Sequence, residues 1–422
     1  MNTKLHTLIA LLLTICMAWG QEITVNASME ASYSNQLFYK LSTETETSYV
    51  ANSWDIAMLR TSAFDIALRI NDGIGTEVFE ASSSSGDWAA IDISNEANWT
   101  QLYNSDTNWT NGAFDNGSAT YGWGEYNISN HHVVGTVIYV LKYTDGTYIK
   151  FINEDFYDGY TFKYSTWNND TSIWEADQSA TVSNASNPNN QFNYYSFDSN
   201  VEVVAEPATT DWDIKFTKYY TEVSDGSGGT TPYLVTGVLF NDALEVAKND
   251  EPTGMPANPT LSYSTDINTI GWDWKTFNFS SFTYDVSSNQ AFYIKYADGT
   301  VYRLYFTSFS GSSSGDVTFK FEDVTASLGI DDLSSSDISF GVFPNPSTDK
   351  KVNLMYDISK LNSSKNEVSI YSTTGQKVFE TSLNNTSSFS NKTLDLSSLK
   401  SGIYVLQFNS GNYSTIKKIV LN

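Results

Sequence analysis

Apolar and polar positions alternate along most of the chain with a period of two, the spacing of a half-buried β-strand. Trp54, Ile56 and Met58 alternate with Asp55 and Ala57, which predicts a strand with one apolar face. The pairs Asp145-Gly146 and Asp298-Gly299 sit between aromatic-rich runs. They predict two-residue hairpin turns, in which both central positions take positive φ. A helical spacing appears only around Asp242–Lys248, and that stretch is short. Beyond residue 340 come strand-like runs at Val352–Tyr356, Glu367–Tyr371, Gln376–Thr381, Lys392–Leu396, Gly402–Phe408 and Ser414–Leu421. Thr374-Gly375, Ser401-Gly402 and Ser410-Gly411 mark turns between them. Six or seven short strands in so few residues predict a small β-sandwich. The fold class expected for the whole chain is all-β.

The sequence also repeats itself. Asn52-Ser53-Trp54-Asp55-Ile56 matches Thr210-Asp211-Trp212-Asp213-Ile214, and Gly122-Trp123 matches Gly271-Trp272. Tyr139–Thr147 matches Phe292–Thr300, and Thr161-Phe162-Lys163-Tyr164 matches Thr318-Phe319-Lys320-Phe321. The four pairs keep their order at an offset of about 150–158 residues, which is a domain duplication rather than a solenoid unit. The repeats are placed at 22–180 and 190–326, joined by the Ser-, Asn- and Pro-rich stretch Ala180–Gln191. An acidic, Ser-rich linker at 327–340 leads to a third domain at 341–422.

Composition narrows the class further. Aromatic residues make up 15% of the 422 residues, which excludes a disordered chain. The formal charge of −25 and the lack of a basic stripe exclude a nucleic-acid binder. Residues 1–20 combine Lys4, an apolar run from Leu8 to Met17, and small or neutral residues before Gln21, which reads as a secretory signal peptide. That run is too short to span a bilayer, and no later segment is long and apolar enough. The single cysteine, Cys16, lies within it, so the exported part must be held by strand pairing and aromatic burial without disulfides.

Val342-Phe343-Pro344-Asn345-Pro346, the run Val368–Gln376, the run Leu394–Tyr404 and the terminal Lys417-Lys418-Ile419-Val420 resemble the type A sorting domain of the type IX secretion system of Bacteroidota. The resemblance implies an Ig-like sandwich read by the secretion machinery, and a secreted or cell-surface location. The two repeats are similar to the HmuY-like family of all-β haem-binding proteins. In repeat one the likeness lies in Phe38-Tyr39-Lys40-Leu41-Ser42, Trp54-Asp55-Ile56-Ala57 and the Val140–Lys150 hairpin. In repeat two it lies in Tyr194-Tyr195-Ser196-Phe197, Trp212–Phe216 and Lys295–Phe306. This implies two tandem HmuY-like domains, haem or porphyrin as cofactor, and an outer-membrane transporter as partner.

Haem iron takes imidazole, thioether, thiolate or phenolate. The candidate ligands are His131, His132 and Met255, with Lys142, Lys150, Arg60, Lys295 and Arg303 as partners for the propionates. Adjacent strand residues point to opposite faces, so His131 and His132 cannot readily clamp one iron. Met58 reads as core. The alternative is a surface glycan-binding or adhesive protein that stacks sugars on loop aromatics: Trp99 and Trp109, with Trp88, lie in the polar stretch Asp87–Asn116. The other reading of these indoles is that they pack the loop onto a sheet. Glu154, Asp155 and Asp158 form an acid–aromatic cluster that reads as a calcium site or as a solvated hairpin tip. No nucleophile elbow, His-Glu-x-x-His, phosphate loop or EF-hand spacing is present, and a non-enzymatic binding protein is expected.

Overall fold

The computed structural model describes residues 22–61, 66–256, 259–328, 339–357, 366–383, 390–410 and 413–422. The expected signal peptide, most of the expected linker and the Ser410-Gly411 turn lie wholly or partly outside these residues. The chain divides into one unit ending at Val324 and a second beginning at Thr325. Both are built of antiparallel β-sheets.

The first unit opens with β1 (Ile23–Ser28), β2 (Asn35–Lys40) and β3 (Thr45–Val50). It continues through β4 (Ile56–Leu59), β5 (Leu68–Ile70), β6 (Glu77–Ser82), β7 (Thr100–Leu102), β8 (Gly124–Asn127) and β9 (His132–Gly135). Next come β10 (Ile138–Lys142), β11 (Tyr148–Phe156), β12 (Gly159–Asn168), β13 (Ile173–Trp174), β14 (Gln178–Ser183), β15 (Phe192–Ser196) and β16 (Val201–Val203). The last eight are β17 (Ile214–Ser224), β18 (Thr230–Phe240), β19 (Glu245–Asp250), β20 (Lys275–Asn278), β21 (Thr283–Val286), β22 (Gln290–Lys295), β23 (Val301–Phe309) and β24 (Asp316–Asp323). The residues given a helical reading, Asp242–Lys248, instead lead into and form β19, which pairs with β22.

Strand pairing divides this unit differently from the expected 22–180 and 190–326. β1 pairs with β24 and β2 pairs with β17, so the N-terminal strands complete the sheets of the second half. β14 pairs with β12 and β15 pairs with β4, which is the same arrangement one repeat later. The repeat seen in sequence is therefore a permuted frame of the repeat seen in space. The first half is continuous from β4 to β16, whereas the second is β17–β24 closed by the chain's own beginning.

Each half is a sandwich of a four-stranded sheet (β16-β15-β4-β5 or β18-β17-β2-β3) and a larger sheet. The central strands of both four-stranded sheets, β2, β4 and β15, are buried on two faces. Ile56 and Met58 point into the core of the first half, while Ala57 and Leu59 join Phe38, Tyr194, Trp212 and Leu239 in a core between the halves. Leu37 and Tyr39, and likewise Ile214 and Phe216, serve the second half. This corrects the expectation of one apolar face on the Trp54 strand: β4 has no solvent side, and all four of its residues are buried.

The two Asp-Gly turns are longer than expected. Tyr143 N–H bonds Thr147 O and Gly146 N–H bonds Tyr143 O, with Tyr296, Thr300 and Gly299 repeating the pattern. Only the glycines take positive φ, 87° and 89°. Each turn is thus a tight turn followed by a left-handed glycine, with the Asp side chain capping the Thr147 or Thr300 N–H. Structure also shifts one pair of the repeat. Trp123 precedes β8 and Trp274 precedes β20, and their carbonyls accept from Thr136 and Ser287 at equivalent places, so Trp274, not Trp272, is the counterpart of Trp123.

The second unit is a sandwich of two sheets. Its strands are β25 (Ser339–Phe343), β26 (Lys351–Asp357), β27 (Asn366–Ser372), β28 (Lys377–Ser382), β29 (Ser390–Asp395), β30 (Gly402–Ser410) and β31 (Tyr413–Leu421). The sheets are ordered β25-β26-β29 and β28-β27-β30-β31. Val352, Leu354, Val368, Ile370, Leu406, Phe408 and Ile419 fill the space between them. Six of these strands coincide, within a residue or two, with the runs read from the sequence.

Trp109 joins the two halves of the first unit. Its indole N–H donates to Phe240 O at 3.0 Å, and its ring meets Phe192 and Trp212 edge-on. Arg69 stacks on it at 5.3 Å and donates to the carbonyls of Ser105, Asn108 and Asn111, fixing the loop that carries it. Trp109→Ala is expected to lower unfolding free energy by about 3–5 kcal/mol, the usual range for a large buried aromatic, measured by urea unfolding.

Asp115 gives a pH signature. It accepts from the N–H groups of Gly112 (2.6 Å) and Leu68 (3.2 Å). Burial raises its pKa from 3.8 to about 7, against the pull of those bonds and of Arg69. The native state then holds a proton that the unfolded state releases. This site's contribution is complete below about pH 4 and is lost as pH rises through about 7. Relative to Asp115→Asn, the wild-type chain should lose stability across that window with a slope approaching about 1.4 kcal/mol per pH unit. Parallel urea-unfolding curves for the two proteins across the window would refute it.

Candidate functional site

A concave aromatic surface lies on the first half. The segment between β6 and β7 folds into short 3-10 turns, Ser85–Ala90 and Ile93–Asn98, and lays Trp88 against β11 and β12. β12 runs on past its sheet partners and turns back as β13, placing Trp167 opposite Trp174 across the strand pair. Their rings meet edge-on at 5.1 Å. Trp88, Trp167 and Trp174, with Ile91, Ser172 and Ile173, line an open cleft of about 540 Å³. Asp92, Glu175 and Asp177 supply carboxylates to it and Lys150 an ammonium.

The cleft is held in shape by hydrogen bonds. Trp88 Nε1 donates to Asp177 at 3.0 Å, and Trp174 Nε1 donates to Ile91 O at 2.7 Å. Lys150 is buried. Its Nζ donates to Trp88 O at 3.0 Å and lies 4.4 Å from the Trp88 ring and 5.0 Å from that of Trp174. Burial among these rings lowers its pKa. Lys163 lies 4.5 Å from the Trp88 ring and pairs with Glu154 at 3.2 Å. The protein's own cations therefore cover Trp88, and Lys150 also lies against one side of Trp174, so Trp167 is the cleft indole that neither lysine covers.

The residues singled out from sequence are dispersed. Trp109 is 7% exposed and belongs to the core between the halves. That corrects its reading as a stacking residue: the polar loop around it is pinned by Arg69, which turns its indole inward. Trp99 is half-buried, tilted against Phe79, and outside the cleft. Trp88 does line the cleft. Trp167 and Trp174 escaped the reading, although two tryptophans flanking Asn168-Asn169-Asp170-Thr171-Ser172 are a hairpin signature.

His131 and His132 end the β8–β9 turn. His131 has φ 64° and lies 2.5 Å from Tyr126 Oη through Nδ1. His132 Nδ1 is 2.8 Å from Asp155, and its ring stacks on Tyr157 at 4.7 Å. Met255 is half-buried beside the turn after β19, in the other half. Met58 is core. The basic residues expected at propionates are already engaged. Lys142 pairs with Glu96, Lys295 with Glu245 and Arg303 with Glu251, while Arg60 donates to the Asn184, Pro188 and Asn190 carbonyls. Asp155 serves His132 and Glu154 serves Lys163, and among the described residues no three His, Cys, Asp or Glu side chains gather as a metal site. No helix among them is long and apolar enough to cross a membrane.

Comparison with known proteins informs the C-terminal unit. No curated protein matches the chain. A solved structure described as "Biofilm associated protein - BSP domain" is 9% identical, covering 96% of this chain and 81% of that one, with a TM-score of 0.18. Residues 341–422 match the family of the secretion system C-terminal sorting domain. The seven-stranded sandwich is that domain, and the chain is a type IX cargo, secreted to the cell surface or the extracellular space.

Proposed function

We propose that the protein is a non-enzymatic binding protein of the cell surface, and that its ligand is a glycan held in the cleft of Trp167 and Trp174. The cleft itself carries the reading. Indole faces meet the apolar C–H face of a pyranose, and the surrounding Glu175, Asp177, Asp92 and Ser172 offer acceptors and a donor to its hydroxyls. Trp88 and Trp174 are preset by bonds to Asp177 and Ile91, so little ordering of these rings is required on binding. The Trp-Asp-Ile strand starts and Asp-Gly hairpins support describing both halves as HmuY-like domains that serve as scaffold.

A second reading, haem or porphyrin capture, draws on one observation. Asp155 holds Nδ1 of His132, which leaves Nε2 as that ring's ligating nitrogen. His132 would hold the iron, and haem would bring the redox and ligand-binding chemistry of its own. The scarcity of a second oriented ligand and the engaged lysines and arginines rank this reading below the cleft.

The full chain should be retained on at least one polysaccharide in affinity electrophoresis, and Trp167→Ala should weaken retention roughly tenfold or more, as truncation of a central aromatic does. No retention on a broad glycan array would end the glycan reading. A saturable, shifted Soret band on haem titration, lost in His132→Ala, would put the second reading first.

A further inference from the structure

The β20–β21 hairpin ends in a feature that neither reading uses. Phe279 and Phe282 are 80% and 78% exposed, the most exposed aromatic side chains among the described residues. Phe277 lies beneath them, 5.1 Å from Phe279 and 6.5 Å from Phe282, and Tyr284 joins the cluster to Phe309. No charged residue occurs between Lys275 and Asp285.

The tip is built rather than slack. Asn278 Oδ1 accepts from the N–H groups of Ser280 and Ser281, and Asn278 O accepts from Phe282. This closes a turn whose last residue is left-handed. The β8–β9 turn has the same form, with Asn127 and Ile128 in the places of Asn278 and Phe279. Its left-handed residue is His131 at φ 64°, against 56° for Phe282. The β12–β13 turn repeats it with Ser172 at φ 53°. A bulky Phe is poorly suited to that backbone, and such strain persists where the placement of the side chain matters. At its base the hairpin is anchored by Lys275, whose ammonium donates to Thr236 O and lies over the Trp274 and Phe309 rings.

We propose that this hairpin tip inserts Phe279 and Phe282 into the interface of a zwitterionic lipid surface. A convex, uncharged tip of Phe, Ser, Thr and Asn fits a soft interface that supplies its own cavity. A protein partner is matched less well, since binding centres on proteins use Arg, Trp and Tyr within a polar rim, and the turn residues 278–283 include none of them. The net charge of −25 selects the surface: an anionic bilayer repels the chain, while a zwitterionic one leaves apolar insertion unopposed.

The test is flotation of the full chain with vesicles of phosphatidylcholine, alone or mixed with phosphatidylglycerol. The chain should float with phosphatidylcholine, float less with the mixture at low salt, and lose that difference at high salt. Phe279→Ser/Phe282→Ser should reduce partitioning by about tenfold or more, with an unchanged urea midpoint because both side chains are exposed. Ile128→Ser, on the equivalent turn, should bind like wild type. Equal flotation of wild type and the Phe variant, a preference for anionic vesicles, or no flotation would overturn the proposal, the last returning the tip to a protein partner. A lost glycan interaction in Trp167→Ala would leave these outcomes untouched.

Discussion

An aspartate at the start of one strand in each half, Asp213 buried and Asp55 half-buried, organises the first unit. Asp213, 1% exposed, accepts from Leu41 N–H and Lys40 Nζ, both at 2.7 Å, and from the Tyr296 hydroxyl. Asp55 accepts from Phe197 N–H at 2.6 Å and Tyr143 Oη at 2.7 Å. Each carboxylate joins a strand start, a hairpin and a closing strand from a distant part of the sequence. A charge so placed is tolerated only when its lone pairs are filled, so loss of any one partner leaves an unmet acceptor in a dry site. Burial raises the pKa of Asp55 while the Tyr143 and Phe197 bonds oppose it. Asn71 and Asn241 back up the same junctions, donating to the Trp54 and Trp212 carbonyls.

From that junction follows the double burial of the central strands β2, β4 and β15. With β2 held to β17 and β15 held to β4, alternate residues of each strand face the half's own core and the core between halves. The shared core also admits charge. Glu206 accepts from Phe192 N–H and the Tyr194 hydroxyl, while Lys215 lies against the Phe38 and Trp109 rings. Desolvation raises the pKa of the acid and lowers that of the lysine. Strands with no solvent face leave little room for ligand chemistry, which directs function to the outer sheets and the loops.

That division explains what the sequence showed and what it hid. Strand class, the duplication and the C-terminal sandwich were legible because period-two alternation and turn residues are local signals. The permuted closure was not, since alternation along β1–β3 says nothing about which sheet accepts them. Trp109 was read as a loop aromatic because its neighbours are polar. Those neighbours lend their carbonyls to Arg69, a contact 36 to 42 residues away in sequence. The cleft was half legible: Trp88 stood out in its loop, whereas Trp167 and Trp174 lie apart from it in sequence, and only the overrun of β12 beyond its sheet brings the two together.

The two halves also diverge where the fold is least constrained. The first half carries the Ser85–Asn98 turns and the β12–β13 extension that together make the cleft, while in the second half β24 ends at Asp323 with no such extension. At the shared five-residue turn the first half places Ile128 and His131, and the second places Phe279 and Phe282. A turn whose geometry is fixed by one asparagine side chain lets its exposed positions change without cost to the sheet below. Duplication thus supplied two copies of a rigid junction built on Asp55 and Asp213. The features available for recognition, a tryptophan cleft on one copy and a phenylalanine tip on the other, arose outside the part that the junction fixes.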